Sequence, residues 1–163
     1  MAIGADGSRG DRWREFADKA EQRIGEAGHP LLVPHLMMAL AATGRTAAAQ
    51  RFLDALREFA GYKGSWTAPA LADVVIPVCE AALAHRRGDY ARVVDPLEQR
   101  QQQIRLLGGS NAQRDLVFQM LIDAAMRSGR RPLVEAMIAH EAATRAVPPT
   151  QRAGYAATAR WVG

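Results

Sequence analysis

The chain has 163 residues, 48% apolar and 23% charged, with a formal net charge of +4; this is enough sequence for one domain with a sizeable core. One cysteine, Cys79, excludes an internal disulfide and any cysteine-based zinc site. Of 21 basic residues 19 are arginine, scattered along the chain rather than gathered on one helix, which disfavours nucleic acid as a partner.

Residues 1–10 are small and polar, with glycines at 4, 7 and 10, and are expected to form a disordered tail. Asp11 is expected to cap a first helix carrying Trp13, Phe16, Ala17, Ala20 and Ile24 on one side, stopped by Gly25 and Gly28. A second helix starts near Pro30 and carries Leu36, Met37, Leu40 and Ala41 to Gly44. The third follows with Ala48, Ala49, Phe52, Leu53, Leu56 and Phe59. Residues 61–68 are loop-like, and Trp66 is placed to plug the junction beyond them. The fourth helix starts near Pro69 and runs to Arg87, with Pro77 predicting a kink. The stretch 71–78 (LADVVIPV) is the one candidate strand, and it continues into an alanine-rich helix. Cys79 shares an apolar stripe with Val75, Val78 and Ala82, the pattern of a buried core thiol.

Gly88 reads as a helix stop and Asp89 as the cap of a fifth helix. Tyr90, Val93, Val94, Leu97 and Ile104 share a face of this helix, which is expected to run to Gly108 despite Pro96. Gln99 and Gln101 to Gln103 read as its solvated face. The sixth helix, capped by Ser110 or Asn111, carries Leu116, Val117, Met120, Leu121, Ala124 and Ala125. Pro132 opens the seventh, with Leu133, Val134, Met137 and Ile138. A short eighth begins at Thr150 or Gln151, and Trp161 is placed to seal the end. Met37, Met38, Met120, Met126 and Met137 read as core filling. Helix-terminal Arg86, Arg87 and Arg127 complement the helix dipole, while Arg45, Arg130 and Arg131 need only solvent.

Gly44, Gly88 and Gly129 stand 44 and 41 residues apart, each after a helix rich in alanine and before another amphipathic one. Such a period marks stacked helical hairpins, because one hairpin cannot bury its apolar face alone. The expectation is therefore an all-α fold, a right-handed array of antiparallel helical hairpins of about eight helices, filling residues 11–163 as one domain. The Gly88-Asp89-Tyr90 turn followed by Ala91 resembles a tetratricopeptide repeat, although these units exceed its standard length of about 34 residues.

Residues 108–115 (GGSNAQRD) resemble the Gly-Gly-Ser-His-Ala-Gln-Arg-Asp signature of the tetratricopeptide repeat protein 38 family. His29 and His35 match two histidines that this family places before a Leu-Met-Ala-type helix, and the Ala42-Thr43-Gly44-Arg45 turn also agrees. The likeness spans residues 13–145 and corresponds to the C-terminal portion of longer members. Leu32-Val33 replaces the family's Asn-Asp pair, and Asn111 stands for the signature histidine. The resemblance implies a helical-repeat fold and no particular activity.

Two chemistries are expected of this chain. The first is a scaffold binding a protein or peptide on the face made by the first helix of each hairpin, with His35, Met38, Glu80 and Gln113 as lining candidates. An exposed apolar end of the array would favour self-association. The second is a small-molecule site, binding or enzymatic, for an anionic metabolite near His29, His35 and Arg114, where Asn111, Gln113 and Asp115 share a helix N-terminus. In the bland alternative Arg114 pairs with an acid on a neighbouring helix and Asp115 complements the dipole. The six-residue spacing of His29 and His35 is not a chelate pattern, so no metal is expected, and no cofactor or catalytic residue is assigned. His85 and His140 read as dipole or surface residues. No apolar run approaches the roughly 18 residues of a membrane span, and residues 1–10 lack a signal peptide's apolar centre, so a cytoplasmic location is expected.

Overall fold

The computed structural model describes residues 7–26, 29–62 and 67–163. They are all-helical, with no strand among them, and form eight α-helices. These are α1 (Gly7–Gln22), α2 (Leu32–Ala42), α3 (Thr46–Ala60), α4 (Ala68–Arg87), α5 (Ala91–Glu98), α6 (Asn111–Arg127), α7 (Arg131–Thr144) and α8 (Ala156–Val162). Short 3₁₀ turns lie at Gln103–Leu107 and Pro149–Gln151. Residues 71–78 are helical, as their run-on into alanine-rich sequence predicted. Trp66 and Gly28 lie outside the described residues, as do residues 1–6 of the expected tail. Gly7 to Gly10 already belong to α1, so Asp11 sits inside that helix instead of capping it.

The three turns at Gly44, Gly88 and Gly129 share one geometry. Each glycine is left-handed, with φ of 72°, 78° and 73°. Each turn is closed by the same long hydrogen bond: Arg45 N to Leu40 O (3.0 Å), Asp89 N to Ala84 O (3.0 Å), Arg130 N to Ala125 O (2.9 Å). This is the Schellman closure, which a Cβ would strain and glycine does not. The first and third turns also share a hydroxyl back-bond, Thr43 to Ala39 O and Ser128 to Ala124 O. Each turn folds a helix back on its predecessor: α3 on α2, α5 on α4, α7 on α6. Asp89 caps loosely, its carboxylate accepting from Arg92 N at 3.4 Å.

The turn arginines do more than face solvent. Arg45 reaches Asp18 on α1 at 2.6 Å, and Arg130 reaches Asp95 on α5 at 2.7 Å. Arg131 pairs with Glu135, donates to the Val162 carbonyl and lies over the Trp161 ring. His85 likewise is no mere surface residue: its Nε2 meets Asp123 at 2.7 Å, joining α4 to α6 beside Tyr90.

Helix α4 is the centre of the core, packing against α2, α3, α5 and α6. Leu71, Val74, Val75, Val78 and Cys79 along it are fully buried. Its 20 residues are long and apolar enough to cross a membrane on length and composition, which corrects the expectation that no apolar stretch approaches that length; more than half of its most apolar stretch is buried inside the fold. Burial also pushes the Cys79 thiol far above its ordinary range. Helix α4 continues through Pro77. The turn before it, Leu71–Val75, widens to π geometry, with Ile76 N bonding to Leu71 O. Pro77 has no amide to offer the Asp73 carbonyl, and that carbonyl instead accepts from Arg100 Nε at 2.9 Å.

The same arginine explains why α5 stops early. Arg100 Nη1 takes the Pro96 carbonyl at 2.8 Å, and the Arg100 amide goes to Leu97 O. The helix therefore ends at Glu98 rather than Gly108, and the chain turns before Gln103–Leu107. Ile104 is still buried, as its apolar register demanded. On α1 the small Ala17 and Ala20 are buried, whereas Trp13 and Phe16 stay 43% and 39% exposed. Short side chains let α1 lie close on α2 and leave its large aromatic residues at the edge.

Candidate functional site

Two surfaces have the shape of sites, and they lie on different elements. The first is an apolar groove of about 380 Å³ between α1, α2 and α6, lined by Arg12, Trp13, Phe16, His35, Met38 and Leu116. Trp13 and Phe16 are one helical step apart and reach it together. His35 Nδ1 donates to the Leu31 carbonyl at 2.8 Å, which fixes the ring and leaves Nε2 as its remaining polar atom. Of the four lining candidates named from the sequence, His35 and Met38 meet here. Glu80 is engaged elsewhere, pairing with Arg57 of α3 at 2.6 Å. Gln113 is held in the cap of α6.

That cap is a full capping box. Ser110 Oγ accepts from Gln113 N at 3.3 Å, and Gln113 Oε1 accepts from Ser110 N at 2.9 Å. Arg114 does not pair with an acid on a neighbouring helix. Its guanidinium donates to the Gly108 and Gly109 carbonyls (2.7 and 2.5 Å) and to Asn111 Oδ1 (2.5 Å). The arginine therefore stitches the glycine turn to the helix it precedes. His29 is exposed in front of α2, its carbonyl accepting from Leu32 and Val33 amides, and it lines none of the cavities described.

Asp115 does not serve the helix dipole alone; it anchors the C-terminal segment. It accepts from Tyr155 Oη at 2.5 Å, from Gln119 at 2.8 Å and from Arg152 at 3.2 Å. Arg152 also makes a very close ion pair with Glu141, a residue only 7% exposed. Burial first, and then the bond to Asp115, raise the Tyr155 phenol well above its usual range. Asn111 and Asp115 share a shallow cavity of about 410 Å³ with Arg145 and Arg152.

On the other side of this network lies the second surface, a cleft of about 520 Å³. Its floor is apolar, from Phe118, Ile122, Leu133 and Met137; its rim is polar, from Glu98, four glutamines, His140 and Arg145. In sequence these glutamines read as a solvated helix face, and no local pattern marks a polar role for Arg145, Arg152 or Tyr155. Only the early end of α5 and the return of the C-terminal segment bring them together, so no local spacing announces the cleft. Among the described residues no three of histidine, cysteine, aspartate and glutamate converge as metal ligands would.

No protein-family model matches the chain, and no solved structure matches it at a significant level.

Proposed function

We propose that this chain is a helical-repeat scaffold of tetratricopeptide-like type, related to the tetratricopeptide repeat protein 38 family, which binds a protein or peptide partner in the groove between α1, α2 and α6. What supports the repeat reading is that three turns 44 and 41 residues apart repeat the same hydrogen bonds around a left-handed glycine. What carries the binding reading is one observation: Trp13, Phe16 and Leu116, large apolar side chains from two helices, all stand at least 37% exposed around one groove. Contiguous exposed apolar surface marks contact sites, because leaving it in water costs free energy that a partner removes.

The partner chemistry follows from the rim. Arg12 and His35 edge the groove and the whole chain carries a net charge of +4, so the fitting occupant is an amphipathic peptide with apolar anchors flanked by acidic residues. A peptide-display selection against the wild-type chain and against a Phe16→Ser, Met38→Glu variant tests this. Enrichment of peptides with aromatic or leucine anchors beside Asp or Glu, lost on the variant, supports the reading. Peptides retained equally by both proteins overturn it.

A further inference from the structure

The cleft bounded by α5, α6 and α7 contains a partly buried cation whose bonding is incomplete. Arg145 closes the C-terminal end of α7, and its side chain is 32% exposed. Its Nε is buried and has no hydrogen-bond partner among the described residues. Among the described residues Glu141 Oε2 is its one ion-pair contact, at 3.5 Å, and the two make no hydrogen bond. That carboxylate already has its partner in Arg152, which is much closer. Asp115 is satisfied by three donors of its own. A guanidinium carries five donors in a planar fork, and one whose Nε lacks a hydrogen-bond acceptor is matched best by a carboxylate.

We propose that the cleft is a binding site for a small amphipathic monocarboxylic acid, its apolar body on Phe118, Ile122, Leu133 and Met137 and its carboxylate on Arg145. The volume of about 520 Å³ lies within the span of small-molecule pockets, and an apolar floor with few polar groups is their usual lining. A singly charged acid fits better than a phosphate, since Glu98 and Glu141 line the same cleft and repel a dianion. Glutamine amides at the rim donate and accept, and so tolerate the carboxylate's polar neighbours without adding charge. This site shares no residue with the apolar groove, so either can fail alone.

Decanoate below its micellar concentration is the probe, with decanol as the uncharged analogue and decyl phosphate as the dianion. Calorimetric titration of the full chain is combined with the methionine methyl resonances as site reporters. The expected result is saturable decanoate binding that shifts Met137 and leaves Met38, with decanol and decyl phosphate each at least tenfold weaker. Arg145→Met, which keeps the apolar stem, should weaken decanoate at least tenfold and leave decanol unchanged. Arg145→Lys should retain part of the difference. Ala136→Trp, which fills the cleft from an exposed position, should abolish binding of all three. The proposal is overturned if decanoate does not bind, if it shifts Met38 rather than Met137, or if Arg145→Met leaves its affinity unchanged while circular dichroism shows the fold intact.

Discussion

Tyr155 joins a buried side chain to a titration that can be measured. Its phenol is buried and donates to Asp115, so the folded state holds the proton more tightly than the unfolded chain does. Below the unfolded value of about 10 both states are protonated and the group adds no pH dependence. Above it the unfolded chain releases a proton that the folded chain keeps, so stability must fall as pH rises through that range. Urea denaturation between pH 8 and 11 should show this decline, and Tyr155→Phe should flatten it while lowering stability at pH 8 by about 1 kcal/mol for the lost hydrogen bond. Cys79 offers a second single-residue readout. Fully buried and with its thiol held protonated, it should react with an alkylating reagent only at the rate at which the fold opens globally. Labelling of native protein as fast as a free thiol would contradict the burial described.

At the scale of the element, the left-handed glycines do the terminating. A Cβ on Gly44, Gly88 or Gly129 meets no atom within 4 Å, so a substitution there is opposed by backbone conformation and not by crowding. Gly88→Ala should therefore cost about 1–2 kcal/mol, the ordinary penalty of the left-handed region for an L-residue, with little change in the slope of the denaturation curve. Gly44→Ala and Gly129→Ala should cost alike. A much larger loss at one of them would mean that the three turns are not equivalent. These turns were legible in the sequence because everything that makes them is local: an alanine-rich helix end, a glycine, and the next residue's amide. The capping box of α6 was half legible for the same reason, since Ser110 was named and its reciprocal partner Gln113 stands three residues on. The end of α5 was not legible, because the group that halts it, Arg100, is also held by Asp73 on another helix.

The whole molecule explains what residue patterns could not. Periodicity placed Trp13 and Phe16 with Ala17 and Ala20 on one side of α1, but the fold divides them, burying the alanines and leaving the aromatics at a groove rim. Arg145 and Tyr155 lie about forty residues or more from the glutamines in sequence, and only the packing of α5, α7 and the C-terminal segment around α6 assembles their cleft. His35 and Met38 were foreseen near one another because one helix carries both; Glu80 and Gln113 belong to other helices and find other partners. An exposed apolar groove also bears on assembly. Sedimentation velocity should show association rising with concentration and reduced by Phe16→Ser; a strict monomer at high concentration would leave the groove to a foreign partner alone.

Arg100 links two helices through carbonyls that ordinary helix bonding leaves over, one of them stranded by Pro77. The proline and the arginine are thus mutually dependent. With Pro77→Ala the amide returns and can claim the Asp73 oxygen itself, so Arg100→Met should hurt the Pro77→Ala variant less than the parent, a coupling of about 1 kcal/mol in a double-mutant cycle. Over evolutionary time such epistasis predicts that positions 77 and 100 change together, and that a chain with alanine at the first tolerates an uncharged residue at the second.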